Sequence, residues 1–218
     1  MKILFLAKAG DAFARNAADY LRQRVDDLTI HELALGDRFP LTEADAAWDY
    51  VISYLCPLVV PRRVLDGARI AAINFHPGPP DYPGIGCTNF ALYDGVASFG
   101  VTCHHMAPRV DTGAPIAVVR FPVSDVDTVH SLTQRCYVHI AQLFYEITDL
   151  ILADKALPRC AESWTRPPIL RAELDELCRI TPELSAAEVE RRVRATTYPG
   201  QPGPFVDLAG YRFRYVPD

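Results

Sequence analysis

Asn74 and His76 stand two residues apart in the stretch INFHPGPPDYPGIGCTNF (73–90), directly behind the apolar run RIAA. An amide that can donate to a developing oxyanion and an imidazole that can accept a proton are what addition to a carbonyl carbon requires. Asp111 follows in the loop Arg109-Val-Asp-Thr-Gly113. A carboxylate beside an imidazole favours the charged ring and fixes its orientation. A base, its orienter and an oxyanion donor, with no nucleophilic Ser or Cys required, suit direct transfer of an acyl group to an amine or to water. The plainer alternative is that Asn74 and His76 only cap a loop through bonds to backbone.

For the three to meet, Asn74 and His76 must lie at the end of a strand, on one face of it. RIAAIN (69–74) reads as that strand, and GVTCHHM (100–106), ahead of the Asp111 loop, as a neighbour. Prolines and glycines crowd the segment after His76. Proline removes backbone freedom before a ligand binds, and glycine allows close approach. KILFLA (2–7), LTIHELA (28–34), DYVISYLC (49–56) and IAVVRFPV (116–123) read as further strands. Helices are expected at 12–25 behind an Asp11 cap, at 61–67, at 88–93, and at 128–153 behind Asp127 or Thr128. Apolar residues of the last recur at three and four from Val129 to Ile151. Strands alternating with helices predict an α/β class: a Rossmann-like open, mostly parallel sheet with helices on both faces. Ligands bind such sheets outside the carboxyl ends of the strands.

The division expected is a catalytic domain over 1–160 and a small C-terminal extension over 161–218. Trp164 to Pro168 reads as a linker, followed by a short helix in LRAELDELCRI. A second helix follows behind Ser185, with Glu188 as capping-box partner. FVDLAGYRFRYV (205–216) reads as a hairpin around Ala209-Gly210. A lone hairpin is marginal in water, so it must pack as a lid, a nucleotide wall or a subunit contact.

The 218 residues are half apolar and carry a net charge of −5. No basic block favours nucleic acid, and no apolar run reaches the roughly 20 residues a bilayer span needs. MKILFLAKAGDAF reads as a first core strand, not a signal peptide. Six cysteines without a C-x-x-C pair fit the cytoplasm. Cys103-His104-His105 invites a metal reading, but adjacent strand residues face opposite ways, so packing and hydrogen bonding are expected. Cys87 is read as packing, not as a nucleophile. Lys8 follows the first strand, where phosphates often bind; the competing reading is a solvated surface residue.

Taken together, N-x-H-P, a Pro/Gly-rich loop, a G-V-T strand and a D-T-G loop resemble the formyltransferase family that uses 10-formyltetrahydrofolate. That family includes methionyl-tRNA and glycinamide ribonucleotide formyltransferases. Its usual loop after the histidine is of a Ser-Leu-Leu-Pro type. The departure seen here, HPGPPDYPGIGCTNF followed by GVTCHHMAPRVDTG, resembles the sugar N-formyltransferases, which act on nucleotide-linked 4-amino or 3-amino deoxysugars. The resemblance covers residues 50–155 and, more loosely, RATTYPGQPGPFVDLAGYRF in the tail.

The resemblance implies catalytic roles for Asn74, His76 and Asp111. It implies that Cys56, Pro57, Leu58 and Val59 meet the pterin of the cosubstrate through backbone groups, with Ala107, Arg109 and Asp111 on the opposite wall. It places Gly78, Pro79, Tyr82, Cys87, Thr88 and Asn89 toward the sugar and sets Tyr198 near the nucleotide; Lys8 joins the substrate side only through its position behind the first strand. It implies 10-formyltetrahydrofolate as cosubstrate, no metal, and a cytoplasmic homodimer. The expected reaction is N-formylation of a nucleotide-linked amino-deoxysugar, such as dTDP-4-amino-4,6-dideoxyglucose, a dTDP-3-amino sugar or GDP-perosamine, for surface polysaccharide (O-antigen, lipopolysaccharide) synthesis. Competing expectations are a 10-formyltetrahydrofolate hydrolase, a formyltransferase for glycinamide ribonucleotide or methionyl-tRNA, and a folate-binding module without activity. A methionyl-tRNA enzyme is expected to carry a basic C-terminal domain, and the tail here is mixed in charge.

Overall fold

The computed structural model describes residues 1–40 and 47–216. A six-stranded sheet has the order β2-β1-β3-β4-β5-β6. It comprises β1 (Lys2–Lys8), β2 (Asp27–Leu33), β3 (Trp48–Tyr54), β4 (Ala68–His76), β5 (Ser98–His105) and β6 (Pro115–Pro122). The first four strands pair in parallel, and β5 and β6 add on in antiparallel fashion. The α/β, mostly parallel architecture is the one the alternating pattern predicts.

Helices cover both faces because the central strands are apolar on both sides; Ile3 to Leu6 of β1 are fully buried. One face packs on α1 (Ala12–Arg22), α3 (Cys87–Asp94) and α4 (Val129–Leu152), and the other on α2 (Arg62–Asp66). Asp11 caps α1 by accepting the Ala14 N–H at 3.0 Å. That helix stops at Arg22, short of Val25. The amides of Arg24 and Val25 both bond to Leu21 O, in a turn that delivers Val25 to the core. Thr128 and Ser131 cap α4 reciprocally. Its stripe from Val129 to Ile151 is buried throughout, as the spacing predicts; each such side chain contributes about 1.5–3 kcal/mol.

Strand β3 ends at Tyr54, two residues before the expected limit. Leu55 has φ 51° and turns the chain out of the sheet, so Cys56 to Val60 run along its rim. The chain order reverses between β1 and β3, and the crevice outside their carboxyl ends is where ligands of open sheets bind.

The tail holds α5 (Arg171–Cys178), α6 (Ala186–Thr196) and a hairpin of β7 (Phe205–Leu208) and β8 (Tyr211–Arg214), turning at Ala209-Gly210 as expected. Ile169 and Ala195 join the same apolar cluster as β1 and α4. Ser185 caps α6 through the Glu188 N–H. The Glu188 carboxylate does not return the bond as a capping box would: it accepts from Tyr93 Oη and Arg192 Nε, tying α6 to α3.

Candidate active site

Alternation along β4 sends Ala71, Ile73 and Phe75 into the α4-side core. Asn74 and His76 face the other way, into a cleft of about 410 Å³ that reaches Leu58, Val59 and Met106. Asn74 pairs across β5 with His104, and His76 with Thr102. Thr102 and His104 share a face of β5, opposite the cluster that takes Val101 and Cys103. The register therefore delivers one imidazole from each strand to a single spot, and the loop after β5 returns Asp111 between them.

Asp111 Oδ2 lies 3.3 Å from His76 Nδ1, and Oδ1 lies 3.2 Å from His104 Nε2. Oδ2 also accepts the Gly84 N–H at 2.8 Å. All three side chains are buried. Burial pushes the Asp111 carboxyl up, but His76, His104 and the Gly84 amide together outweigh it and hold the group down at about 2. The site therefore keeps a fixed negative charge between two imidazoles.

The far nitrogen of each ring is committed to a carbonyl. His76 Nε2 is 3.0 Å from Tyr82 O, and His104 Nδ1 is 2.7 Å from His105 O. A carbonyl only accepts, so both nitrogens carry hydrogen. A proton on either remaining nitrogen makes its contact with Asp111 attractive. His104 Nε2 also lies 3.1 Å from Asn74 Nδ2. Bare, it accepts from the amide; protonated, it donates to the carboxylate, and the amide must find another partner. The orientation of Asn74 is thus coupled to the proton count of the cluster.

Cys56, Pro57, Leu58, Val59 and Ala107 line the cleft, and so do Lys8 and Tyr137. Lys8 keeps 41% of its side chain exposed, as a surface residue would, while its Nζ donates to Tyr137 Oη at 3.2 Å and pairs with Asp11 at 3.6 Å. Burial lowers the Lys8 pKa, but Tyr137 and Asp11 more than compensate, and the net shift is upward. Arg109 stands outside the cleft on the exposed turn, its carbonyl accepting the Thr112 hydroxyl.

From the Pro/Gly loop, Pro77, Gly84 and Ile85 reach the cleft. Gly78 accepts from Thr102 Oγ1, and Pro79 O from the Tyr82 amide. The Tyr82 hydroxyl donates to Asp94. The Cys87 thiol donates to Pro77 O, and burial pushes its pKa up to about 12. Thr88 meets Thr133, and Asn89 donates to Ala195 O. Tyr198 stands edge-on to His130. Gly78, Pro79, Tyr82, Cys87, Thr88, Asn89 and Tyr198, expected toward the acceptor, are thus engaged with neighbouring protein groups and do not line this cleft.

The packing and hydrogen bonding expected for His104 fit its bonds to Asn74, Asp111 and His105 O, but its place beside Asp111 is not an expectation of the sequence. Sequence reasoning weighed Cys103-His104-His105 as a unit, whereas the pairing of Asn74 with His104 was the informative signal. Gly84 was not singled out either. Its φ of 89° and its contact with Ile169, whose backbone a Cβ would strike, admit only glycine. Among the described residues, no group of His, Cys, Asp and Glu side chains is arranged to hold a metal ion, and no helix is long and apolar enough to cross a membrane.

The chain is 29% identical over 171 residues to GDP-perosamine N-formyltransferase of Brucella melitensis, covering 78% of this chain and 64% of that protein. It is 30% identical over 175 residues to methionyl-tRNA formyltransferase of Thiobacillus denitrificans, covering 79% of this chain and 55% of that one. It therefore spans less than two thirds of the length of either relative. A sugar N-formyltransferase structure from Shewanella superposes with a TM-score of 0.79 at 16% identity, over 99% of this chain and 96% of that one. An N-formyltransferase from Helicobacter canadensis, solved with folinic acid and dTDP-3-aminofucose, superposes with a TM-score of 0.68 at 17% identity, over 89% and 80%. These two likenesses establish the fold. The sequence match to the formyl transferase family model runs from residue 41 to residue 148. That span holds Asn74, His76, His104 and Asp111 together.

Proposed function

We propose that the protein transfers a formyl group from 10-formyltetrahydrofolate to the amine of a nucleotide-linked amino-deoxysugar, in the service of surface polysaccharide synthesis. One observation carries the reading: Asn74, His76 and the ionised Asp111 converge at one end of an apolar cleft, within the span that matches the formyl transferase family model. The similarity to a GDP-perosamine enzyme supports an aminosugar as acceptor.

The cleft fits a flat heteroaromatic cosubstrate. Leu58, Val59, Met106 and Val110 offer apolar walls, and the rim from Cys56 to Val60 offers backbone groups at its edge. Such a cosubstrate supplies an activated formyl carbon; the protein supplies orientation, charge and a place for protons. Asn74 Nδ2 donates to the oxygen that turns negative as the amine adds, a contact worth about 3–4 kcal/mol in comparable sites. The His76–Asp111 pair receives the proton that the amine must lose. The carboxylate stabilises that proton on the ring, and it or His104 passes it on to the departing nitrogen.

Lys8, which lines the cleft beside Tyr137, offers a cation to the anionic part of the acceptor. The exposed apolar side chains of the hairpin, Leu208, Tyr211 and Phe213 among them, support a homodimer formed through that face. Six free cysteines accord with a cytoplasmic location.

Mass spectrometry of candidate sugar nucleotides incubated with 10-formyltetrahydrofolate tests the reading. A gain of one CO on an aminosugar nucleotide is expected. Formate released without any acceptor would identify a hydrolase instead.

A further inference from the structure

Trp164 lies in the segment that composition alone marks as a linker. Its indole N–H donates to Gly113 O across 2.6 Å. Its ring stands perpendicular to both imidazoles of the cluster, with centroids 5.1 Å from His104 at 87° and 5.9 Å from His76 at 73°. Five residues on, Ile169 is laced to the Pro/Gly loop: its N–H donates to Pro83 O at 2.9 Å, and its carbonyl accepts from Ile85 N at 3.2 Å. Thr165 N adds a bond to Pro80 O at 3.1 Å. The segment therefore holds both sides of the Asp111 carboxylate: the Gly84 turn that donates to it and the Asp111–Gly113 turn that carries it.

That second turn needs holding. Asp111 has φ 47°, the left-handed region that residues with side chains adopt at a cost. Gly113 lies so close to His105 O that a Cβ would collide with it, so the turn and the end of β5 shift together or not at all. His104 has its own competing demands, with Asn74 and Asp111 both within reach of Nε2. A perpendicular indole against its ring restricts the rotation that would exchange them.

We propose that Trp164 is a positioning residue: it fixes the His104 ring and the Asp111 turn, and through them the orientation of Asn74 and the proton on His76. This rests on the reading of the cleft as a formyl-transfer site, and it extends the working centre to a side chain beyond residue 160.

Two variants test it, each checked for cooperative melting by circular dichroism. Trp164→Phe keeps one aromatic ring but removes the N–H together with the second ring of the indole; Trp164→Ala removes the aromatic side chain altogether. With positioning lost, kcat should fall about tenfold in the first and about a hundredfold in the second, with KM for either substrate within about twofold. Two-bond 1H–15N spectra of the imidazoles, recorded without substrate, should show one His104 pattern with hydrogen on Nδ1 in the wild type and an exchanging pattern in the variants. Unchanged imidazole spectra in both variants, or a raised KM at unchanged kcat, would overturn the proposal. A wild-type protein that formylates no aminosugar nucleotide would remove the reading of function, and the imidazole spectra would still decide the role of Trp164.

Discussion

The Gly84 N–H donates to Asp111 Oδ2 across 2.8 Å, joining the Pro/Gly loop to the loop after β5. A backbone donor cannot rotate away as a side chain can, so the carboxylate is held in place before any ligand arrives. Preorganised charge of this kind carries no reorganisation cost at the moment of reaction.

The Asp111 carboxyl ties acid stability to the site. Its folded value near 2 lies below the ordinary 3.8. Between those values the unfolded chain binds the proton more readily, so the stabilisation, about 2 kcal/mol, is present above pH 4 and lost as pH falls through 2. In Asp111→Asn, stability measured by urea unfolding should depend less steeply on pH in that window. Turnover should fall at least a hundredfold at pH 7, because the variant leaves no charge to hold the proton on His76. An unchanged pH slope would show that the carboxylate is not linked to folding.

Asn74→Ala should lower kcat about 10²–10³-fold, the cost of losing one oxyanion donor. Cosubstrate affinity, read by fluorescence titration, should stay close to that of the wild type. His76→Ala should behave alike, and full turnover by either purified variant would refute the assignment.

Gly84→Ala places a methyl group against the backbone of Ile169 at a φ of 89°. The expected loss is about 2–4 kcal/mol by chemical denaturation. Displacing the Gly84 amide should depress kcat beyond what the lost stability explains. A neutral outcome on both counts would mean that the loop tolerates the shift.

Cys87 should be dispensable for chemistry. Burial pushes its thiol up to about 12 and its hydrogen is given to Pro77 O. Cys87→Ala should keep turnover within about threefold while losing about 1–2 kcal/mol of stability. In the native protein at pH 8, peptide mass mapping after iodoacetamide should show the partly exposed Cys56 and Cys160 labelled well before Cys87.

Leu208 and Phe213 are mostly exposed on the hairpin, at 62% and 58% of their surface. If that face joins two copies, Leu208→Glu with Phe213→Glu should shift the mass measured by light scattering from dimer to monomer. A monomeric wild type would end the dimer reading without touching the chemistry.

The elements of the fold were legible because local signals and tertiary needs agree in them. The stripe of α4, the Asp11 and Thr128 caps and the Ala209-Gly210 turn each follow from a short-range rule. Asn74 and His76 were legible because strand alternation is a local feature, and Asp111 because a loop needs only the neighbouring of two strands, not their exact register, to come near them. His104 was not, since its role depends on which residue β5 sets opposite Asn74, and a register between strands some thirty residues apart is not written in either strand alone. Trp164 and Gly84 stayed hidden for the same reason. Their partners, Gly113 and Ile169, are distant along the chain, and composition marks both segments only as loop.

The lacing of Ile169 between Pro83 and Ile85 constrains how such proteins can be recombined. A chimera that takes its C-terminal part from a similar protein, joined near residue 160, would import a segment with no matching seam. Grafts meant to change the acceptor should carry the 80–85 turn and the 164–169 segment as one cassette, leaving the sheet behind them untouched.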